Sequence, residues 1–342
     1  MKIEFKSAVA SVVFATFAAT GHARDTVQIA GSSTVLPFAS IVAEEFGQTF
    51  PQFPSPVVGS GGTGGGMRQF CQGVGENTID IVNASRPMKA AEVERCHQAG
   101  VKNILQVQIG YDGIVFASRA EKPAFSLEPR HIFAAIARQV PQNGKMVKNS
   151  YTRWSQIDAG LPDQPIVVVI PASNHGTREV FEEKVLHTGC SAYDNINKMP
   201  EADRAKACTA LRQDGRVIEI SGDYTETLAR LETDKNAVGV FGLGFYEQNL
   251  DKLRVARVNG IVPSVETIVS GEYPVSRPLF FYVKGEHIGA VPGLQEYAEY
   301  FLAEPVSGAG SQLEETGLIP LSAGLRARNL ADLKAGKVFV AQ

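Results

Sequence analysis

The sequence lacks several features that mark other classes of protein. Beyond an apolar run at residues 7–20, no stretch of the 342 residues approaches the ~20 apolar residues that a membrane-spanning helix needs. No internal repeat, low-complexity tract, long charged run or sustained coiled-coil seam is present. The formal net charge is only −3, so the overall charge gives no attraction to nucleic acid or to an acidic membrane surface. These absences favour a globular, monomeric chain.

The N-terminus has the pattern of a secretory signal peptide. Lys2 and Lys6 precede the apolar run, and small residues flank His22 before a predicted cut after Ala23. No cysteine lies near this cut, so a lipid anchor has no attachment point. We therefore predict export to the periplasm without membrane insertion. The remaining 319 residues, 342 minus 23, suggest two domains of ordinary size.

The chain has only four cysteines, Cys71, Cys96, Cys190 and Cys208. They form no CxxC motif and His97 is an isolated imidazole, so a metal site is poorly supported and no cofactor is expected. An even count in an exported chain favours disulfides, with three pairings open. We favour Cys71 with Cys96 and Cys190 with Cys208, because each closes a short loop worth ~3 kcal/mol.

Strands, small-polar turns and helices alternate along the chain, as in an α/β fold. Four turns that lead from a strand into a helix are rich in Ser, Thr, Asn and Gly, and they lie at residues 31–34, 59–66, 84–87 and 172–177. Two apolar strands, at 107–117 and 278–283, flank a middle segment with its own strands and helices. The pattern predicts two lobes joined by two crossings, with 24–112 plus 278–342 in one lobe and 113–277 in the other.

Anion binding offers one explanation for these four turns. The first turn of a helix has unpaired N–H groups and a partial positive charge, and Ser and Thr add hydroxyl donors. A tetrahedral oxyanion needs more donors than one turn provides, so several turns must converge on it. Helix capping is the alternative for each turn taken singly. The glycine run at 59–66 is not a P-loop, because Met67 and Arg68 stand where Lys and Ser or Thr are required.

Two charged residues are candidates for contact with an anion. Arg86 follows Ser85 in a strand-to-helix turn, where its planar guanidinium could reach an anion in a cleft. A surface salt bridge is the alternative role. Asp112 interrupts an apolar crossing strand. Its carboxylate could be a cap or a hinge contact, or it could accept a hydrogen bond from a protonated oxyanion and so reject fully ionised sulfate.

Together these segments resemble one family, the phosphate-binding proteins of phosphate ABC importers, called PstS. The matching segments cover nearly the whole mature chain in the family's order, at 31–35, 59–66, 84–87, 111–113, 175–178, 221–224, 238–242 and 273–278. The resemblance implies a type II periplasmic-binding-protein fold whose two lobes close on inorganic phosphate, and a membrane permease as the partner.

The turns and the resemblance predict a set of phosphate-binding residues. These are Ser33, Thr34, Val35, Ser60, Thr63, Gly64, Ser85, Arg86, Asp112, His175, Gly176, Thr177 and Arg178. The sequence departs from one branch of the family, which has Asp at the place of Arg86, Arg at Pro171 and Ser at His175. If Arg86 supplies the guanidinium, the carboxylate that accepts the phosphate proton must come from elsewhere. Asp112 is the first candidate, followed by Asp223 or a backbone carbonyl.

Two other functions compete with phosphate capture. A binder of sulfate, molybdate or tungstate would use the same fold and turns. A secreted hydrolase could use Ser33 or Ser60 with His175, but no Gly-x-Ser-x-Gly elbow and no acidic partner for the imidazole are evident. The sequence therefore predicts a binding protein rather than an enzyme.

Overall fold

The computed structural model describes residues 24–173 and 176–341. The predicted signal peptide and His175 lie outside these residues. The strands are β1 Gln28–Gly31, β2 Val57–Val58, β3 Ile81–Ala84, β4 Ile104–Arg119, β5 Ser126–Leu127, β6 Gln139–Gln142, β7 Lys145–Lys148, β8 Val167–Pro171, β9 Val217–Ile220, β10 Ala237–Gly242, β11 Leu253–Val255, β12 Arg257–Val258, β13 Ser276–Lys284 and β14 Ile319–Pro320.

Helices follow most of these strands, as the alternating pattern predicts. They are α1 Leu36–Thr49, α2 Gly62–Phe70, α3 Ala90–Gln98, α4 Pro129–Ile136, α5 Gly176–Val180, α6 Thr188–Ser191, α7 Asp194–Asn197, α8 Glu201–Thr209, α9 Tyr224–Thr233, α10 Leu243–Glu247, α11 Val265–Val269, α12 Leu294–Phe301, α13 Glu304–Ser307, α14 Gln312–Glu315 and α15 Ala323–Lys334. A π-helical segment, Phe181–His187, connects α5 to α6. Within the described ranges, no helix is long and apolar enough to cross a membrane.

One long sheet runs through the molecule in the order β2-β1-β3-β13-β4-β10-β8-β9. The outer pairs, β1 with β2 and β3 and β8 with β9 and β10, are parallel, whereas β13 and β4 pair antiparallel at the centre. One half of β4 pairs with β13 and the other half with β10. The two central strands therefore connect two parallel α/β units, which is the mixed arrangement expected for the fold.

Two large hydrophobic cores lie on either side of this central crossing. One contains Phe46, Leu105 and Phe281, and the other contains Phe116 and Phe241, all buried. The change from one core to the other along β4 occurs between Ile109 and Ile114. The lobe boundaries at residues 112 and 277 remain a prediction, which this separation of the cores favours.

Both of the local disulfides favoured by the sequence are present. Cys71 is bonded to Cys96 and Cys190 to Cys208, with Cα–Cα distances of 4.2 and 5.4 Å. The first pair packs with the cluster around Phe70, and the second with the cluster around Phe133. Each disulfide therefore links residues within one side of the molecule, and neither disulfide joins the two large cores.

Removal of the Cys190–Cys208 bond should lower the free energy of unfolding by about 3 kcal/mol, because the loop of 18 residues is no longer constrained in the unfolded chain. Urea denaturation of a Cys190→Ser, Cys208→Ser double variant measures this change. A transition at the wild-type midpoint would show that the bond does not contribute to stability.

Candidate functional site

A cavity of about 340 Å³ opens where the turns of the two α/β units approach the central strands. Its wall includes three of the residues predicted from the sequence, Thr34, Asp112 and Thr177. The remaining wall comes from both sides of the cleft, and consists of Pro37, Phe38, Asp223, Tyr224, Gly242, Phe245, Gln248, Glu315, Thr316 and Gly317. The cavity is therefore the natural place for a ligand held between the two units.

Arg277 lies in this region and was not among the predicted site residues. It belongs to β13 and is only 3% exposed. Its Nη2 donates a hydrogen bond of 2.7 Å to Thr34 Oγ1. In the pairing of β13 with β4, Arg277 stands directly opposite Asp112. The central strands thus place a buried guanidinium beside a hydroxyl group and a carboxyl group.

Asp112 and Arg277 approach each other without a hydrogen bond. Arg277 Nε and Asp112 Oδ2 are 3.8 Å apart, both atoms are buried, and neither has a hydrogen-bond partner among the described residues. Burial raises the pKa of the Asp112 carboxyl, and nearby Glu179 adds to this, although Arg277 opposes it. A donor, Arg277, and an acceptor, Asp112, therefore lie side by side. The raised pKa means that the Asp112 carboxyl binds a proton more readily than an exposed carboxyl does.

The turn before α1 is organised by Ser32. Its Oγ accepts hydrogen bonds from the backbone N–H groups of Thr34, at 3.2 Å, and Val35, at 3.4 Å. The Val35 side chain is fully buried in a hydrophobic core, so this residue can offer a ligand only its backbone. Ser33 Oγ lies 3.1 Å from Ser60 Oγ, which links this turn to the glycine run.

The glycine run is helical over much of its length, because α2 begins at Gly62 and not after Gly66 as the sequence suggested. A Cβ at Gly66 would lie 2.5 Å from the Gly31 Cα, so only glycine allows α2 to pack so close to β1. Gly64 is less constrained, with Arg68 Nη1 at 3.8 Å from the Cβ position as the nearest neighbour. Some glycines of the run are therefore explained by the close packing of α2 against β1 and need no role in anion binding.

Two further predicted residues join α2 to the turn after β3. Thr63 Oγ1 lies 3.0 Å from Ser85 Oγ and accepts a hydrogen bond of 3.1 Å from the Ser85 backbone N–H. Both side chains are buried. Their contact holds two of the predicted anion-binding turns together on one side of the cleft.

Arg86, expected from the sequence to reach a cleft anion, is held by a carboxylate in the structure. Its guanidinium makes a two-fold contact with Glu92, with both N–O distances 2.8 Å. Glu92 also accepts a hydrogen bond from the Lys89 backbone N–H, at the start of α3. This paired carboxylate raises the pKa of Arg86. The salt-bridge alternative is thus what the structure contains, and a role for Arg86 with a ligand remains a prediction.

The second predicted cluster lies at the start of α5. Thr177 contacts the Tyr224 hydroxyl, and both residues line the cavity. Arg178, by contrast, is buried against its own side of the molecule. It donates to the Pro171 carbonyl at 3.0 Å and pairs with Glu182 and Glu219, each at 2.7 Å. Its guanidinium is engaged by neighbours of the same unit, so contact with a ligand remains a prediction.

Sequence reasoning missed Arg277, Tyr224, Glu179 and Glu183. A signal for Arg277 was present, because a charged residue in an otherwise apolar crossing strand is the same pattern that drew attention to Asp112. Glu179 and Glu183 lie on the helical segment after the cleft turn, where acidic residues are common on solvent-facing surfaces. Among the described residues, no group of three or more His, Cys, Asp or Glu side chains could hold a metal ion.

Comparison with known proteins identifies the family to which this chain is similar. The family model of the PBP superfamily domain matches residues 16–305. Protein SphX of Synechococcus elongatus is 30% identical over 323 residues, which cover 93% of this chain and 83% of that protein. The phosphate-binding protein PstS of Staphylococcus haemolyticus is 27% identical over 311 residues, covering 89% and 84% respectively.

One solved structure is similar to this chain over almost the full length of both proteins. It is a possible phosphate binding protein from Planctomyces limnophilus, with a TM-score of 0.70 and 25% identity, covering 92% of this chain and 99% of that one. The type II periplasmic-binding fold expected from the sequence is confirmed. The chain belongs to the PBP superfamily and, within it, to the PstS family of phosphate-binding proteins.

Proposed function

We propose that this protein captures inorganic phosphate in the cleft beside Arg277 and delivers it to the permease of an ABC importer. The observation that carries the proposal is the buried guanidinium of Arg277, which stands between the Thr34 hydroxyl and the unpaired Asp112 carboxyl oxygen. Phosphate at neutral pH carries negative oxygens and a proton together. Such a ligand needs strong donors and one acceptor in the same site.

The proposed roles follow from these contacts. Arg277 donates to phosphate oxygens, and Asp112 accepts the phosphate proton. Hydroxyl and backbone donors come from the turns on both sides of the cleft. A phosphate ion bound to both sides therefore stabilises the closed arrangement of the two lobes. The proposed donors among the described residues are Ser33, Thr34, Val35, Ser60, Thr63, Gly64, Ser85, Gly176 and Thr177.

The named relatives support phosphate as the ligand. PstS of Staphylococcus haemolyticus is called a phosphate-binding protein, and the similar Planctomyces limnophilus structure is described as a possible one. Sulfate, molybdate and tungstate are less well matched by the cleft, because a fully ionised oxygen facing Asp112 would pair like charges. Capture and release without chemical change is the role that we propose.

Export and delivery complete the proposal. The N-terminal pattern with a cut after Ala23 would place the mature protein in the periplasm. There it would act as a monomer that meets the permease after closing on phosphate. The proposed role needs no cofactor and no catalytic residue.

Calorimetric titration at fixed ionic strength tests the function. Phosphate should bind with one site per chain, whereas sulfate and molybdate should bind far more weakly or not at all. Small-angle scattering should show a smaller radius of gyration with phosphate. Absence of phosphate binding, or equally tight binding of sulfate, would contradict the proposal.

A further inference from the structure

Arg277 is in contact with more negative charge than a simple anion site requires. Its Nη1 donates a hydrogen bond of 3.0 Å to Glu183 Oε2, and its Nη2 lies 3.9 Å from Glu179 Oε2. With Asp112 at 3.8 Å, three carboxyl groups surround one guanidinium. Because like charges in a cleft repel an anion, this arrangement needs an explanation beyond phosphate attraction.

These glutamates contact the same groups that the proposed site uses for phosphate. Glu183 occupies one terminal nitrogen of Arg277, and the Thr34 hydroxyl donates to Glu179 Oε2 at 3.4 Å. Both glutamates come from the helical segment that begins at the cleft turn, whereas Thr34 comes from the turn before α1. Glu179 therefore reaches across the cleft to Thr34, and Glu183 contacts Arg277 on the central strand β13.

The position of Glu183 resembles that of a bound anion. Besides its contact with Arg277, its negative charge contributes to the raised pKa of Arg86, whose main partner is Glu92. Glu183 is thus close enough to influence both arginines near the cleft. It is also partly exposed, with 43% of its side chain accessible, so it can swing into solvent when another anion arrives.

We propose that Glu183 is a built-in competitor of the ligand: its carboxylate holds the Arg277 guanidinium in the anion-free cleft and is exchanged for a phosphate oxygen on binding. The inference rests on the proposed function. Glu179 assists by holding the Thr34 hydroxyl in the same state. Phosphate capture is then an exchange of one anionic partner for another.

This exchange has a consequence for release as well as for capture. A buried guanidinium that loses its partner is strongly unfavourable. When phosphate leaves the site, Glu183 takes its place and removes that penalty, so the empty cleft is stabilised and dissociation is faster. The competitor lowers the affinity of the cleft but helps the protein to give up its ligand at the permease.

The test compares Glu183→Gln with Glu182→Gln in the full mature chain, by calorimetry and stopped-flow release of phosphate. Removal of the competing charge at Glu183 should tighten phosphate binding about tenfold, chiefly through slower dissociation. Glu182, the residue before Glu183, is a matched control because it pairs with Arg178 and not with Arg277. Its substitution should leave the affinity for phosphate within about twofold of wild type.

A second variant, Glu183→Asp, guards against a folding defect, because it keeps the charge but shortens its reach. It should bind more tightly than wild type, though less so than Glu183→Gln. If the wild type binds phosphate and neither Glu183 variant binds it more tightly, the exchange is overturned while the proposed function stands. If the wild type itself does not bind phosphate, the proposed function fails first and the exchange fails with it.

Discussion

Arg277→Ala should weaken phosphate binding by about two to four orders of magnitude. The side chain is buried and is the charged donor nearest to Thr34 and Asp112. Loss of one partner of a buried charged contact costs about 3–5 kcal/mol, which corresponds to this loss of affinity. Calorimetric titration of the variant with phosphate gives the change directly.

Two further variants separate the loss of a contact with phosphate from a general loss of folding. Arg130→Ala removes an exposed arginine that pairs with Glu128 on the surface, so phosphate affinity should not change. Arg277→Lys keeps the charge but not the planar fork, and should recover only part of the affinity. An Arg277→Ala protein that melts cooperatively and still binds phosphate at wild-type strength would remove Arg277 from the site.

The contrast between Arg277 and Arg86 shows what sequence alone could not decide. Both arginines follow a serine at one end of an apolar strand. Arg86 meets Glu92, six residues away, whereas Arg277 stands opposite Asp112 through the pairing of two distant strands. The first contact is local, but the second depends on strand register across the whole fold. The local pattern therefore singled out Arg86, whereas the position of Arg277 beside Asp112 became visible only in the strand pairing.

Other features were predictable because their causes are local. The disulfides close short loops, and the apolar runs that mark the crossing strands appear as β4 and β13 with slightly wider bounds. The glycine run was predicted as a turn, yet its later residues form the first turns of α2. The close contact of Gly66 with Gly31 comes from tertiary packing, which no spacing within the run reveals.

The acidic residues of the cleft belong to the same class of tertiary feature. Glu179 lies in α5 and Glu183 in the π-helical segment that follows. Their direction toward Arg277 depends on how this segment packs, and on the crossing strand that carries the arginine. From the sequence alone, both glutamates are indistinguishable from the neighbouring Glu182, which faces Arg178 instead.

Asp112→Asn should reverse part of the preference for phosphate over sulfate. The carboxyl oxygen of Asp112 that faces Arg277 can accept the phosphate proton, whereas an amide group presents N–H donors. Phosphate should therefore bind at least tenfold more weakly, while sulfate binding should rise from negligible to measurable. Parallel titrations with both anions at fixed ionic strength measure the change in preference.

The stability of the anion-free protein provides an independent control. The pKa of Asp112 is raised in the folded state, so the folded carboxyl keeps its proton to higher pH than the unfolded one. The stabilisation from that proton is complete below the unfolded pKa and is lost as the pH rises through the folded value. Asn cannot ionise, so the thermal midpoint of the variant should rise relative to wild type as the pH increases from about 4 to about 7.

The two measurements together distinguish recognition from a structural role. A protein that gains relative stability at higher pH but keeps its full phosphate-to-sulfate preference would show that Asp112 is buried near the site without contacting the ligand. The proton acceptor would then be sought at Asp223, which lines the same cavity and whose carboxylate accepts a hydrogen bond of 2.8 Å from the Thr225 backbone N–H at the start of α9. A variant that binds sulfate would instead identify Asp112 as the group that selects a protonated anion, because only the loss of its negative charge removes the repulsion of a fully ionised oxygen.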